Sequence, residues 1–239
     1  MKGIITAGGL GTRLYPLTYA TNKHLLPIYD KPMVFYPIQT LVEAGITELL
    51  IIVGGPHAGH FLRVLRNGKE LGLKHLEFAY QDKEGGIAEA LALAEDFSSH
   101  ENIAVILGDN IFEDSIRAEV EAFAVQERGA KIFLKEVEDP ERFGVPEIVN
   151  GKIISIEEKP TVPKSRYAVT GLYLYDGQVW DAIRGLKRSA RGELEITDVN
   201  NFYVNQGTMT HAVLKGSWTD AGTFETLLRA GNLVRTRAR

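Results

Sequence analysis

The chain has 239 residues, of which 44% are apolar and 24% charged, a balance typical of a globular protein. Its formal net charge of −4 argues against a nucleic-acid partner, and the absence of cysteine excludes disulfides and thiolate chemistry. No apolar run approaches the ~18 residues of a membrane helix, and the first strand begins at Lys2. These features predict a soluble cytoplasmic protein without a signal peptide or a membrane partner.

A glycine-rich loop directly follows the first predicted strand, which is the apolar run Gly3 to Ala7. The candidate phosphate-binding residues in and after this loop are Gly8, Gly9, Gly11, Thr12, Arg13 and Lys23. Glycines let backbone N–H groups approach a phosphate closely, and the two cations would supply positive charge. The alternative is an ordinary strand-to-loop turn followed by two solvated cations.

Two familiar glycine motifs do not fit this loop. A dinucleotide fingerprint needs a glycine where the chain has Leu14, which disfavours a Rossmann-type dehydrogenase. A P-loop needs Gly-Lys-Ser/Thr, and this loop ends in Gly11-Thr12-Arg13. Because Pro16 disfavours helical geometry at Tyr15, we expect the loop to stay extended around the phosphates.

The first half of the chain alternates strand and helix patterns. Apolar runs predict strands over residues 48–53, 75–80 and 103–107, and helical spacing predicts helices over 32–44 and 87–97 and one ending near 66. This alternation implies a parallel sheet with right-handed crossovers.

The second half has a more mixed pattern. Residues 145–157 read as a β-hairpin whose turn is Asn150-Gly151, a strong type I′ signal. Further strands are predicted over 130–137, 168–175 and 208–214, with helices over 195–206 and from 223 onward. We therefore predict one α/β domain with a mostly parallel, mixed central sheet flanked by helices. Residues 1–130 would form its nucleotide-binding half and residues 131–239 its half for a second substrate.

Two aspartates are candidates for holding a cation. Asp109 follows the strand 103–107, and ligands of open α/β sheets bind at the carboxyl ends of strands. A carboxylate beside a phosphate loop suits a hard cation such as Mg²⁺. Asp220 lies in another glycine loop, Trp218 to Thr223. Taken alone, the position of Asp109 favours a structural role, in which it caps the helix that begins near Asp114 or makes a turn.

The chain resembles the sugar-phosphate nucleotidyltransferases. The resemblance lies in the GGxGTRLxP loop followed by Lys23-His24-Leu25-Leu26-Pro27, and the stretch Leu26 to Pro32 resembles the glucose-1-phosphate thymidylyltransferase branch. It runs over about Lys2 to Gly231 and implies a Rossmann-like nucleotidyltransferase fold. Many members carry Gln where this chain has His24, so no role is assigned to that residue.

The resemblance implies a reaction and its partners. That reaction is Mg²⁺-dependent: dTTP and α-D-glucose 1-phosphate give dTDP-glucose and pyrophosphate, the first step of dTDP-deoxysugar synthesis. It also implies a homo-oligomer. A related enzyme using UTP or another sugar 1-phosphate is the alternative, and a non-catalytic subunit of the same fold is a further one. Longer members continue beyond the last helix, so a chain ending at Arg239 resembles a short form.

The resemblance also implies a role for each matching residue. The nucleotide would be bound by Gly8, Gly9, Gly11, Thr12, Arg13, Lys23, Gln81, Gly86 and Asp109. The sugar phosphate would be bound by Asn110, Gly144, Glu158, Lys159, Val169 and Arg191. The catalytic residues would be Arg13, Lys23, Asp109 and Asp220, with Asp109 and Asp220 as Mg²⁺ ligands. Without the resemblance, Gln81 is a polar loop residue, Glu158-Lys159 a solvated charge pair and Arg191 a surface arginine.

Overall fold

The computed structural model describes residues 1–126 and 128–237. Numbered along the chain, the strands are β1 (Lys2–Ala7), β2 (Pro27–Ile28), β3 (Lys31–Pro32), β4 (Glu48–Gly54), β5 (His75–Gln81), β6 (Ile103–Leu107), β7 (Asn110–Phe112), β8 (Ala130–Glu136), β9 (Gly144–Val149), β10 (Lys152–Glu158), β11 (Tyr167–Tyr175), β12 (Met209–Val213) and β13 (Trp218–Asp220). The helices are α1 (Phe35–Glu43), α2 (Ala58–Leu65), α3 (Ile87–Ala92), α4 (Glu95–Ser98), α5 (Arg117–Ala124), α6 (Val179–Arg184), α7 (Ile196–Gln206) and α8 (Phe224–Arg237).

Seven strands form the central sheet, in the order β12-β8-β11-β6-β1-β4-β5. β1 pairs in parallel with β4 and β6, β4 with β5, and β8 with β12. β11 runs antiparallel to both β6 and β8, so it joins the two parallel halves into one mixed sheet. The α/β fold with a mostly parallel, mixed sheet is confirmed.

The strands are apolar on both faces because helices cover both sides of the sheet. Side chains alternate along β1, so Ile4 belongs to one buried cluster and Ile5 to the other. Helices α3, α6 and α7 contribute to the first cluster, and α1, α2 and α5 to the second. Within residues 1–126 and 128–237, no helix combines the length and apolarity needed to cross a bilayer.

Two small antiparallel pairs extend beyond this sheet and carry predicted site residues. β7 pairs with β13, with Asn110 opposite Asp220, and β9 pairs with β10. A third apolar cluster packs α8 against the β7 and β2 region, through residues that include Ile28, Ile111 and Ala230. This packing fixes β7 and β13, and therefore the backbone on either side of the predicted cation site.

Three local predictions differ from the structure. The first helix begins at Phe35 and not at Pro32, because Lys31–Pro32 pairs with Pro27–Ile28. The helix predicted over residues 87–97 is broken between α3 and α4, where the amides of Leu93 and Ala94 donate to carbonyls only three residues back. The loop predicted to stay extended contains a single 3₁₀ turn, Thr12–Leu14, although it does not open an α-helix.

The predicted hairpin turn is confirmed. Asn150 and Gly151 have φ values of 51° and 73°, and a type I′ turn requires positive φ at both central residues. β9 and β10 pair directly across this turn, with Val149 opposite Lys152. The hairpin places Gly144 and Glu158 opposite each other at its far end, next to the functional site.

We expect Gly151→Ala to lower the free energy of unfolding by about 1 kcal/mol, because a side chain disfavours positive φ. A Cβ at Gly151 would meet no atom within 4 Å, so the cost comes from the backbone conformation alone. Gly59, in helix α2, has the same open surroundings without the positive φ. Gly59→Ala should therefore raise the unfolding free energy by roughly 0.5–1 kcal/mol. Urea denaturation of both variants measures the difference, and equal effects would contradict this account.

Candidate active site

Two cavities open at the carboxyl ends of the central strands and meet at Asp109. The first, of about 350 Å³, is lined by residues that include Gly8, Gly9, Lys23, Gln81 and Gly86. The second has a volume of about 520 Å³, and Asp109 lines both. Strand β1 lies between β6 and β4, so the chain continues to one side of β1 and later returns to its other side. Open α/β sheets bind ligands at such a topological switch point.

The glycine loop is shaped by the side chain of Gln81. A Cβ at Gly8 would lie only 2.7 Å from Gln81 Oε1, so glycine permits the close approach of the carboxamide. The Gln81 Nε2 donates to the carbonyl of Gly86 at 3.5 Å. The structure thus brings together Gly8, Gln81 and Gly86 at one end of the first cavity, where a planar ligand could meet the amide edge.

A buried ion pair joins the loop region to the sheet. Lys23 Nζ lies 2.5 Å from Asp109 Oδ2, and the two side chains are only 13% and 12% exposed. Burial acts to raise the pKa of Asp109, but the charge and hydrogen bond of Lys23, with the amide of Asn110, hold that pKa well below its usual range. Asp109 is therefore ionised across the physiological pH range.

His24 is a neutral residue beneath this pair. Burial, and then the positive charge of Lys23, lower the pKa of His24 to about 3. Its Nδ1 lies 2.7 Å from Asn22 Oδ1, which also accepts the His24 backbone N–H at 2.9 Å. Because that amide oxygen can only accept, the imidazole carries its proton on Nδ1. The side chain adds no positive charge to the cavity it lines.

Asp220 reaches the same place from the other end of the chain. The backbone N–H of Ala221 donates to the carbonyl of Asp109 at 2.8 Å, which ties the turn between β6 and β7 to the end of β13, where Asp220 lies. Burial, and then the negative charge of Asp109, raise the pKa of Asp220, while Arg142, Arg13 and Lys23 oppose that rise. The two carboxylates therefore lie close enough to repel each other, and a cation bound by both would reduce that repulsion.

The donor set at this position fits Mg²⁺. Among the described residues, no group of three or more His, Cys, Asp or Glu side chains could hold a metal, so Asp109 and Asp220 stand as a pair. Mg²⁺ is commonly bound through one or two carboxylates together with substrate phosphates and waters. The pair suits an ion that arrives with a phosphate ligand, but Lys23 already occupies Asp109 Oδ2.

The second cavity contains most of the predicted sugar-phosphate residues. Its lining includes Asn110, Gly144, Glu158, Lys159 and Val169, together with Arg13 and Asp220. Glu158 Oε2 accepts a hydrogen bond from Thr197 Oγ1 at 2.6 Å. Lys159 has a φ of 48° and donates its N–H to the carbonyl of Phe143 at 2.9 Å. This strained backbone is held at the rim of a cavity, where such conformations often mark function.

Three predicted residues lie away from the cavity walls. Within the described part of the chain, Gly11, Thr12 and Arg191 line neither cavity. Arg191 donates to Glu195 at 2.8 and 3.2 Å and lies 3.5 Å from Glu158 Oε1. Its positive charge is thus shared among carboxylates at the edge of the second cavity, and its proposed contact with a phosphate requires an exchange of partners.

Arg142 is a site residue that the sequence did not single out. Its Nη1 donates to Asp139 at 2.6 Å, its Nη2 lies 3.7 Å from Asp220 Oδ2, and its guanidinium lies 5.1 Å from the ring centre of Phe143. The available signal was its place directly before Phe143-Gly144, a stretch already matched to the family. A cation beside Asp220 could have been suspected from that position.

Glu84 is the second residue that the sequence did not single out. Its Oε1 accepts the backbone N–H of Leu10, in the glycine loop, at 2.7 Å. Glu84 lines the first cavity together with Gly9 and Lys23. The Glu84 carboxylate thus accepts a hydrogen bond from a backbone N–H of the loop that was predicted to bind phosphate.

The sequence model of one family matches nearly the whole chain. The family is described as nucleotidyl transferase, and its model matches residues 2–237. The chain belongs to this nucleotidyl transferase family. The confirmed α/β fold and the two joined cavities agree with that membership.

Individual relatives show which members of the family this chain is similar to. The chain is 45% identical to the glucose-1-phosphate thymidylyltransferase of Neisseria meningitidis and 47% identical to that of Mycolicibacterium smegmatis; each match covers 99% of this chain and 83% of the relative. A Bacillus anthracis crystal structure assigned as the same enzyme, in complex with a sucrose, is 54% identical with a TM-score of 0.94, covering 98% of this chain and 95% of that one. A UDP-glucose pyrophosphorylase, 24% identical with a TM-score of 0.84 over 100% and 99% of the two chains, shares the fold.

We expect Glu84→Gln to strengthen binding of inorganic pyrophosphate about 2- to 10-fold, because a phosphate must displace the carboxylate from Leu10 and is repelled by it. Titration calorimetry measures the dissociation constant. Asp82→Asn removes the same charge from the same loop and is the matched control, for which we expect a change below about 2-fold. Equal effects of the two variants would show that only the net charge of the loop matters.

Proposed function

We propose that this protein transfers a thymidylyl group from dTTP to α-D-glucose 1-phosphate, giving dTDP-glucose and pyrophosphate. The observation that carries this proposal is the Asp109–Lys23 ion pair at the junction of two cavities, one beside the glycine loop and one lined by Glu158 and Lys159. The names of the relatives at 45–47% identity support the choice of substrates.

The reaction needs positioning and charge neutralisation more than acid–base chemistry. An oxygen of the sugar phosphate attacks the α-phosphorus of the nucleotide in line with the departing pyrophosphate. This nucleophile is already anionic, so no general base is required. Burial lowers the pKa of His24 to about 3, so this imidazole is too weakly basic to serve as an effective general base. The enzyme's contribution is then to align the two phosphates and stabilise the charge that moves to pyrophosphate.

Lys23 and Arg13 are the proposed ligands of the departing pyrophosphate. Lys23 Nζ and the loop meet at Gly9, where a Cβ would lie 3.9 Å from that nitrogen. The guanidinium of Arg13 lies against Gly222, two residues after Asp220, with Nη2 3.1 Å from a Cβ placed there. Both cations thus lie between the glycine loop and the aspartate pair, and Lys23 would turn from Asp109 toward phosphate oxygens.

Asp109 and Asp220 are the residues that would hold Mg²⁺. When bound, the ion would neutralise phosphate oxygens around the α-phosphorus. The hydrogen bond from the Ala221 N–H to the Asp109 carbonyl ties the residue before β7 to the end of β13, where Asp220 lies. Arg142 Nη2 lies 3.7 Å from Asp220 Oδ2 and would restrain that carboxylate, and Asp109 would supply the other carboxylate.

The second cavity is the proposed site for the sugar phosphate. Glu158 would accept hydrogen bonds from sugar hydroxyls, and Thr197 fixes one of its oxygens for that task. Lys159 would hold the attacking phosphate, with Arg191 joining from the edge of the cavity. Gly144 and Val169 line the same cavity and would contact the hexose ring.

The base would be selected in the first cavity by Gln81. A carboxamide can donate and accept, which matches the O4 and N3–H edge shared by thymine and uracil. The related reaction with UTP is therefore the second candidate, and discrimination would depend on the 5-methyl and 2′-hydroxyl groups. We further propose that the protein acts in the cytoplasm as a homo-oligomer, in the first step of dTDP-deoxysugar synthesis.

We predict that dTTP is the preferred nucleotide, that UTP is a poorer substrate by about 10- to 200-fold, and that ATP and GTP are rejected. A methyl group in an apolar pocket contributes roughly 1–3 kcal/mol, whereas a purine leaves Gln81 badly paired. The measurement is kcat/KM for each nucleotide with glucose 1-phosphate in excess, from pyrophosphate release. Gln81→Ala should weaken the preference for pyrimidines. A preference for GTP, or an unchanged ranking in Gln81→Ala, would contradict the assignment.

We predict that Asp109→Asn and Asp220→Asn each lower kcat at least about 100-fold, because each removes an anionic ligand of the cation. Folding provides the control. Since the fold raises the pKa of Asp220, its ionised form destabilises the folded state above the ordinary carboxyl pKa. Asp220→Asn should therefore melt no lower than the wild type at pH 7 in EDTA. Wild-type activity of either variant at limiting Mg²⁺ would exclude that residue as a ligand.

A further inference from the structure

The side-chain amide of Asn110 lies between Asp109 and two other strands. Its Nδ2 donates to Asp109 Oδ1 at 3.0 Å. Its Oδ1 accepts the indole Nε1–H of Trp218 at 2.7 Å and the backbone N–H of Gly171 at 3.0 Å. Asn110 is only 2% exposed. The amide therefore links the first residues of β7 and β13 and the middle of β11 to one oxygen of the buried aspartate.

These contacts fix the orientation of the amide. An amide oxygen has two lone pairs, and both face N–H donors here. If the group turned over, its NH₂ would face those two donors and its oxygen would face the Asp109 carboxylate. Gly171 allows the close approach, since a Cβ there would lie 2.7 Å from the Asn110 oxygen. The donors from Trp218 and Gly171 thus determine that Asn110 presents a donor to Asp109.

We propose that Trp218 is a positioning residue for Asp109 that acts through Asn110. The indole N–H holds the amide, the amide holds Asp109 Oδ1, and Oδ2 is left for Lys23 and, on substrate binding, for the cation. The family resemblance assigned Asn110 to the sugar phosphate. In this relay its side-chain oxygen already accepts two hydrogen bonds. The inference rests on the proposed function, because it assigns a role in the same reaction.

The two tryptophans of the chain provide a matched comparison. The Nε1 of Trp180 is buried and has no hydrogen-bond partner among residues 1–126 and 128–237. Trp218→Phe removes the N–H that reaches Asn110 but can keep the edge contact with Phe143, whose ring centre lies 5.2 Å away. Trp180→Phe makes the same chemical change in the core without breaking a hydrogen bond.

The test measures kcat, both KM values and the Mg²⁺-dependent binding of dTTP by calorimetry. We expect Trp218→Phe to lower kcat about 3- to 10-fold and to weaken Mg²⁺-dependent dTTP binding by a similar factor, as loss of one hydrogen bond implies. Trp218 also lines the second cavity, so KM for glucose 1-phosphate can change as well, and the dTTP affinity is the measurement that tests the relay. Trp180→Phe should leave all of these values within about 2-fold of the wild type. The Gly171 N–H still serves Asn110, so Trp218→Phe should remain folded.

A double-mutant cycle with Asn110→Ala tests the route of the effect. If Trp218 acts through Asn110, Trp218→Phe should change kcat by less than about 2-fold once Asn110 is alanine. Two independent residues would multiply their separate losses instead, and that outcome overturns the relay.

Three further results would overturn the proposal. They are a change confined to KM for glucose 1-phosphate, an unchanged dTTP affinity in Trp218→Phe, and equal effects of Trp218→Phe and Trp180→Phe. Assays of the wild type distinguish a failure of the positioning role from a failure of the proposed function. Failure of the wild type to form dTDP-glucose overturns the function, whereas an active wild type with an insensitive Trp218→Phe overturns the positioning role alone.

Discussion

The buried ion pair between Lys23 and Asp109 is the interaction on which the rest of the site depends. Two charges removed from water destabilise the fold unless they are closely paired, and these lie 2.5 Å apart. The pair fastens the segment after the glycine loop to the end of β6, at the boundary of both cavities. A ligand that brings a cation and a polyphosphate can offer each partner a new counter-charge, so the same ion pair can stabilise the site and still be replaced when substrate binds.

Other charged groups of the site are also paired within the protein. Arg142 lies beside Asp220, and Glu84 accepts the N–H of Leu10. Arg191, at the edge of the second cavity, is bound by Glu195. Substrate binding at the proposed site would be an exchange of ionic partners, in which each phosphate would replace a contact within the protein. Affinity then depends on the difference between two sets of similar interactions, which makes single charged residues effective at tuning it.

The polar contacts around Asp109 depend on strands that are short and distant in the chain. β7 and β13 have three residues each, and their pairing is supported by α8 through an apolar cluster. Trp218 and Asn110 are 108 residues apart, yet their hydrogen bond is 2.7 Å long. The packing of α8 thus helps to set the hydrogen-bond geometry around Asp109. Through Asn110, this arrangement lets Trp218 influence Asp109 without a direct contact.

Local features of this protein could be predicted from the sequence alone. Apolar runs indicated the strands, and Asn150-Gly151 indicated the turn of the β9–β10 hairpin. The position of Asp109 after a buried strand predicted that it lies at the edge of the sheet where the cavities open. These features depend on neighbouring residues and on periodicity. The approach of Asp220 to Asp109, the contact of Glu84 with the loop and the orientation of the Asn110 amide were decided only by the tertiary structure. Each joins segments far apart in the chain, and no spacing rule encodes a contact that exists only after the sheet has assembled.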